Sequence, residues 1–171
     1  FQLETEFPDY YNLNYDLSLA SVEDIQKKLS QHSDFDKTAF IEYFAGDSAI
    51  YTFFISKDDF QVFETPKNEA LTGAISTFQN FQNINPGLLK SNDLGSRHFQ
   101  NYTQSAHFLY QKLLAPVLEN SDFEKLIIVP DGNLGYLSFE AFLTEPPISN
   151  EINYAASNLD YLIEKYQISY A

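Results

Sequence analysis

Asp131 stands directly behind a short apolar run, Leu126-Ile127-Ile128-Val129, and after Pro130. In open α/β sheets ligands bind just beyond the carboxyl ends of such strands. A carboxylate there can accept a phosphoryl group or work as an acid or base. Phosphoryl chemistry asks for further acidic or Lys partners at fixed places, and none is obvious nearby. The simpler role for Asp131 is to start a turn by bonding its own backbone two residues on. Gly132-Asn133-Leu134-Gly135 is Gly-rich, but it has no Lys and lacks the third Gly of a dinucleotide fingerprint. It reads as a turn, not a phosphate cradle.

The other reactive side chains do not converge. His98 and His107 are nine apart on one helical pattern, which puts them on different faces, and His32 is remote. No zinc or other metal site is expected from them. The absence of Cys removes a disulfide, a thiolate ligand and a cysteine nucleophile. Ser138 has no G-x-S-x-G elbow around it. Asp34, Asp36 and Lys57-Asp58-Asp59 read as solvated turn residues. Asn101-Tyr102-Thr103 matches a glycosylation sequon but falls on a helical pattern. No cofactor is implied by any of these groups.

The elements that would position Asp131 are legible. Four apolar residues without alternation read as a strand buried on both faces, as in a parallel sheet flanked by helices. Upstream, Ala39 to Phe44, Ile50 to Ile55 and Phe60 to Thr65 alternate with turn signals and read as an antiparallel meander. Ser21, with Asp24 three residues on, marks a short helix that ends near Gln31. Asn68 caps a helix to Gln82, ended by Asn85-Pro86-Gly87. A polar loop over 83–96 precedes a second helix capped by Ser96. Its stripe is Phe99, Tyr102, Ala106, Leu109, Leu113 and Val117, with a break expected at Pro116. After Asp131 a loop leads to a short helix over Ser138–Leu143. Ser157 and Asp160 mark another helix, and Tyr166 to Ala171 a second parallel strand. Strand, crossover and strand make a βαβ unit.

With 171 residues the chain is one domain with a sizeable core. The first 20 residues show no clear period and read as an extended lead-in held down by aromatics. Ten basic residues against 24 acidic ones give a net charge of −14, and Arg97 is the lone Arg. Nucleic-acid backbones and anionic membranes need clustered Lys and Arg, so neither is an expected partner. A solvated acidic surface, or one that attracts basic peptides, remains. No apolar run approaches the roughly 20 residues of a membrane helix, and the first residues do not look like an export signal, so the expected location is cytoplasmic. Phe1 in place of Met points to a fragment of a longer protein.

Several stretches together resemble one family. Pro8-Asp9-Tyr10-Tyr11-Asn12-Leu13-Asn14-Tyr15-Asp16 and then Ser21-Val22-Glu23-Asp24-Ile25-Gln26 are similar to the lead-in of CHAT domains, the caspase-like domains that follow tetratricopeptide repeats in many bacterial proteins. Phe40 to Tyr51 resembles their first hairpin, and Leu113-Leu114-Ala115-Pro116 the helix end before their core strand. Leu126 to Gly132, followed by Leu137-Ser138-Phe139-Glu140-Ala141-Phe142, is the most recognisable part, with Ser where Pro is commoner at 138. Tyr161 to Ala171 resembles the stretch before the catalytic half.

The resemblance implies an α/β fold: an antiparallel meander and helices leading into the first two parallel core strands of a caspase-like sheet. It implies residues 1–20 as a lead-in from a preceding repeat region and 21–171 as the N-terminal half of the domain. The catalytic His and Cys of such a domain would lie beyond Ala171, so no catalytic residue is assigned. Asp131 and Gly132 keep one role, as turn residues lining a substrate cleft. The implied partners are a protein or peptide, tetratricopeptide repeats of the same parent chain, and a strand pairing with an exposed edge. The alternatives are a non-catalytic interaction and signalling module, and a phosphate-binding, receiver-like domain resting on Asp131 alone.

Overall fold

The computed structural model describes residues 20–31, 33–82, 92–119, 121–146 and 159–171. The expected lead-in, the loop after Gln82 and its Asn85-Pro86-Gly87 stop, His32 and Ser157 lie outside the described residues. Helix α1 spans Val22–Ser30. It starts at a reciprocal capping box: the Asp24 N–H donates to Ser21 Oγ at 3.2 Å, and the Ser21 N–H donates to Asp24 Oδ2 at 3.1 Å. Glu23 and Asp24 sit at its start and Lys27 and Lys28 near its end, each on the side the helix dipole favours. The Gln26 amide donates to the carbonyls of Ser56 and Asp59, which ties α1 to the turn between the second and third strands.

Strands β1 (Thr38–Ala45), β2 (Ala49–Ile55) and β3 (Phe60–Pro66) form the expected meander. Helices α2 (Glu69–Gln82), α3 (Asn92–Leu113) and α4 (Ala115–Leu118) follow, then β4 (Lys125–Val129), α5 (Leu162–Lys165) and β5 (Gln167–Tyr170). The five strands make one sheet in the order β3-β2-β1-β4-β5. The pairs β3–β2 and β2–β1 are antiparallel, while β1–β4 and β4–β5 are parallel. β1 is the joint: Ile41 faces Phe54 on one side and Ile128 on the other. The meander is therefore not a separate layer: its first strand, β1, is the centre of the sheet and carries the parallel pair β4–β5 on its other side.

One face of the sheet holds the core. Ala39, Ile41, Tyr43, Ile50, Phe54, Leu126 and Ile128 pack with Leu71 and Phe78 of α2 and with Tyr102, Leu109 and Leu113 of α3. Phe78 stacks on Tyr102 at 5.4 Å between ring centroids and meets Phe142 edge-on at 5.2 Å. Each large apolar side chain sealed this way contributes roughly 1.5–3 kcal/mol. The expectation that β4 is buried on both faces needs correction. Leu126 and Ile128 are fully buried, but Ile127 and Val129 are only partly so. The pleat sends them to the opposite face, where Phe44 and Val62 remain 56% and 49% exposed.

Two elements also differ from expectation. α3 begins at Asn92, not after Ser96. The break expected at Pro116 is present: α3 and α4 are split at Leu114 with Pro116 in the first turn of α4, as a missing amide hydrogen requires. The crossover between β4 and β5 holds, among the described residues, two 3₁₀ turns (Gly132–Tyr136 and Phe139–Ala141) and the four-residue α5, instead of the longer helices expected over 138–143 and after Asp160. Ser138 sits at the cap position of the second turn without a side-chain cap bond.

Candidate functional site

The end of β4 is built by a long-range clamp. Asp131 Oδ2 accepts a hydrogen bond from the Ala45 N–H at 2.8 Å, at the last residue of β1. Its main-chain carbonyl accepts from the Leu134 N–H at 3.1 Å and starts the 3₁₀ turn. The side chain thus serves the neighbouring strand, not its own backbone two residues on. Gly132 follows with φ of +55°, a conformation that disfavours any side chain.

Gly132 and Asn133 form one wall of a cleft of about 340 Å³, and α2 forms the other. Thr72, Ser76 and Gln79 line it at helical spacing, Lys67 joins them from the β3–α2 link, and Ile50 and Leu134 contribute apolar surface. The Gln79 amide donates to the Asn133 carbonyl at 3.1 Å, which fixes the two walls together. Of the two cleft residues expected from sequence, Gly132 lines this cavity; Asp131 stands behind it, engaged with Ala45. Sequence reasoning missed Lys67, Ser76, Gln79 and Asn133. A signal existed for α2: Thr72, Ser76 and Gln79 trace a polar stripe opposite its apolar one.

Three tyrosines, the buried Tyr43 and Tyr102 and the exposed Tyr170, brace the crossover. The Tyr43 hydroxyl donates to the Leu113 carbonyl at 3.0 Å, and its ring stacks on Phe139 at 5.5 Å. The Tyr102 hydroxyl donates to the Ala141 carbonyl at 3.1 Å. The Tyr170 hydroxyl donates to Glu140 Oε2 at 2.8 Å and accepts from the Phe139 N–H at 3.2 Å. Burial pushes the pKa of all three phenols upward, and beside Tyr170 the Glu140 carboxylate adds to it. Burial also pushes Tyr110 up to about 12.

The remaining candidates stay apart. His98 is exposed, and His107 Nδ1 lies 3.0 Å from the Leu143 carbonyl as a structural contact. Asp36 pairs with Lys57 at 3.0 Å on the surface. No group of three His, Cys, Asp or Glu side chains able to hold a metal occurs among the described residues. Within those residues no helix is long and apolar enough to cross a membrane.

The arrangement defines a class before it defines a family: a mixed α/β sheet with helices on its core face and a cleft at the carboxyl ends of the parallel strands β1 and β4. Residues 103–171 match the family model described as CHAT domain. The match runs from within α3 through β4, the Asp131–Gly132 turn and β5. The stretches before residue 103 that resemble the same family fall outside the matched segment. No curated protein matches the chain.

Proposed function

We propose that this chain is the non-catalytic N-terminal portion of a CHAT-type, caspase-like cysteine peptidase domain, and that it scaffolds a His/Cys dyad carried beyond residue 171. The observation that carries this reading is the family match over 103–171, which spans the parallel pair β4–β5. The lack of Cys in the sequence is consistent with a nucleophile supplied from elsewhere in the parent protein. In such a dyad the His takes the thiol proton, and the thiolate attacks a peptide carbonyl. β4 and β5 would hold the sheet against which the reacting strands are laid. Asp131 and Gly132 would shape the adjoining end of the substrate cleft. Partners in this reading are a polypeptide substrate, tetratricopeptide repeats of the parent chain and a strand added at the free side of β5, which pairs with β4 on its other side.

The test is made on the parent protein. The residues after Ala171 should carry a His behind one buried strand and a Cys behind the next. Replacing that Cys by Ala should abolish cleavage of a peptide library while leaving the protein folded. A parent without the pair, or with cleavage intact in the Cys→Ala variant, defeats the peptidase reading and leaves an interaction module. The receiver-like reading gains nothing from the site: Asp131 is committed to Ala45, and no acidic cluster adjoins it among the described residues.

A further inference from the structure

The cleft between α2 and the Gly132–Asn133 turn has a chemical bias that the chain as a whole lacks. The sequence has 24 acidic residues against ten basic ones, yet among the described residues no Asp or Glu lines this cavity. Its one charged lining residue among those described is Lys67. Lys37, Lys57 and Lys165 each lie within ion-pair distance of a carboxylate, whereas Lys67 has none among the described residues. The residue is also partly buried. Its backbone is held firmly: the Lys67 N–H donates to the Ser48 carbonyl at 2.8 Å, and the next residue, Asn68, caps α2.

Two further hydrogen-bonding groups line the same cavity without a side-chain partner among the described residues, the Ser76 hydroxyl and the Asn133 amide. Ile50, Ile75 and Leu134 supply the apolar surface between them. The volume, about 340 Å³, lies in the range of small-molecule sites. One cation, two neutral donors and an apolar floor complement an anion carried on a short aliphatic stem. A carboxylate is the fitting group, since it accepts several hydrogen bonds at once and bonds an ammonium more strongly than a neutral acceptor does.

We propose that this cleft binds a carboxylate on a short aliphatic stem, with Lys67 as counter-charge and Ser76 and Asn133 as donors. Such a group is borne by a free dicarboxylic acid or by a Glu or Asp residue of a polypeptide. The site shares its place with the substrate cleft proposed above, and it rests on that reading for location alone. Failure of the dyad test leaves a binding measurement on this chain unaffected, and failure of the binding measurement leaves the dyad test unaffected.

The experiment titrates the full chain, labelled with nitrogen-15, with three probes: glutarate, a capped Ala-Ala-Glu-Ala-Ala peptide and its Gln counterpart. The amide resonances of Lys67, Ser76, Gly132 and Asn133 should move together with glutarate or the Glu peptide. The Gln peptide should bind at least roughly tenfold more weakly, as loss of a charge-assisted bond requires. Lys67→Met should weaken binding by about the same factor, and Lys67→Arg should restore most of it. Tighter binding of the peptide assigns the carboxylate to a polypeptide; equal or tighter binding of glutarate assigns it to a small acid. No coherent shifts at these residues, equal affinity for the Gln peptide, or unchanged affinity in Lys67→Met overturns the proposal.

Discussion

Asp131 and Ala45 are 86 residues apart in the chain, and the carboxylate of one accepts the main-chain N–H of the other at 2.8 Å. The bond closes the carboxyl end of the β1–β4 pair, just past the last ladder contact at Glu42 and Val129. It also orients the turn that carries Gly132 into the cleft. Removing the acceptor leaves a partly buried N–H unpaired. Asp131→Ala should therefore cost about 1–3 kcal/mol, and Asp131→Asn, which keeps an amide oxygen, clearly less. Urea denaturation of the three proteins measures the difference, and equal midpoints for wild type and Asp131→Ala would refute the clamp.

Helix capping gives a paired prediction. Asn68 Oδ1 accepts the Leu71 N–H at 2.9 Å, so Asn68→Ala should lower stability by about 1 kcal/mol. Ser138 occupies a similar cap position, yet its side chain makes no cap bond. Ser138→Ala should stay within about 0.5 kcal/mol of wild type, as an exposed change without partners does. If thermal melts rank the two variants the other way, the cap assignment is wrong.

What was legible in the sequence was local. The Ser21–Asp24 box, the meander turns and the Pro116 break are each written within a few residues, and each formed. The pairing of β1 with β4 is set by contacts across some 80 residues, and no short window records it; the register Phe40 to Ile127 belongs to the folded core alone. The start of α3 was expected at Ser96 and falls at Asn92, a boundary that local propensity did not place. Gly132 could be singled out because a Gly after Pro-Asp announces a turn. Lys67 could not, because its lack of a carboxylate neighbour among the described residues is a fact of three dimensions.

The two faces of the sheet should respond differently to truncation. Phe78 is fully buried against Tyr102 and Phe142. Phe78→Ala should cost about 3–5 kcal/mol. Phe44 is 56% exposed on the other face and touches Tyr51 with ring centroids 6.4 Å apart. Phe44→Ala should cost less than about 1 kcal/mol. Chemical denaturation decides between them, and comparable losses would mean that the second face is covered in solution.

Tyr43 ties stability to alkaline pH. Burial raises its pKa above the ordinary value of 10.0, so the folded state holds the phenolic proton more tightly than the unfolded state does. The associated stability is fully present below pH 10 and is lost as pH rises through the folded-state value. Tyr102 and Tyr170 shift in the same direction and should add to the loss. Tyr43→Phe removes the hydroxyl that donates to the Leu113 carbonyl, at a cost near 1 kcal/mol at neutral pH. The same variant should lose less stability between neutral and strongly alkaline pH than wild type does. Urea midpoints measured across that range, together with tyrosinate absorbance, test both statements. Parallel curves for wild type and Tyr43→Phe would show that this phenol does not control the alkaline limb.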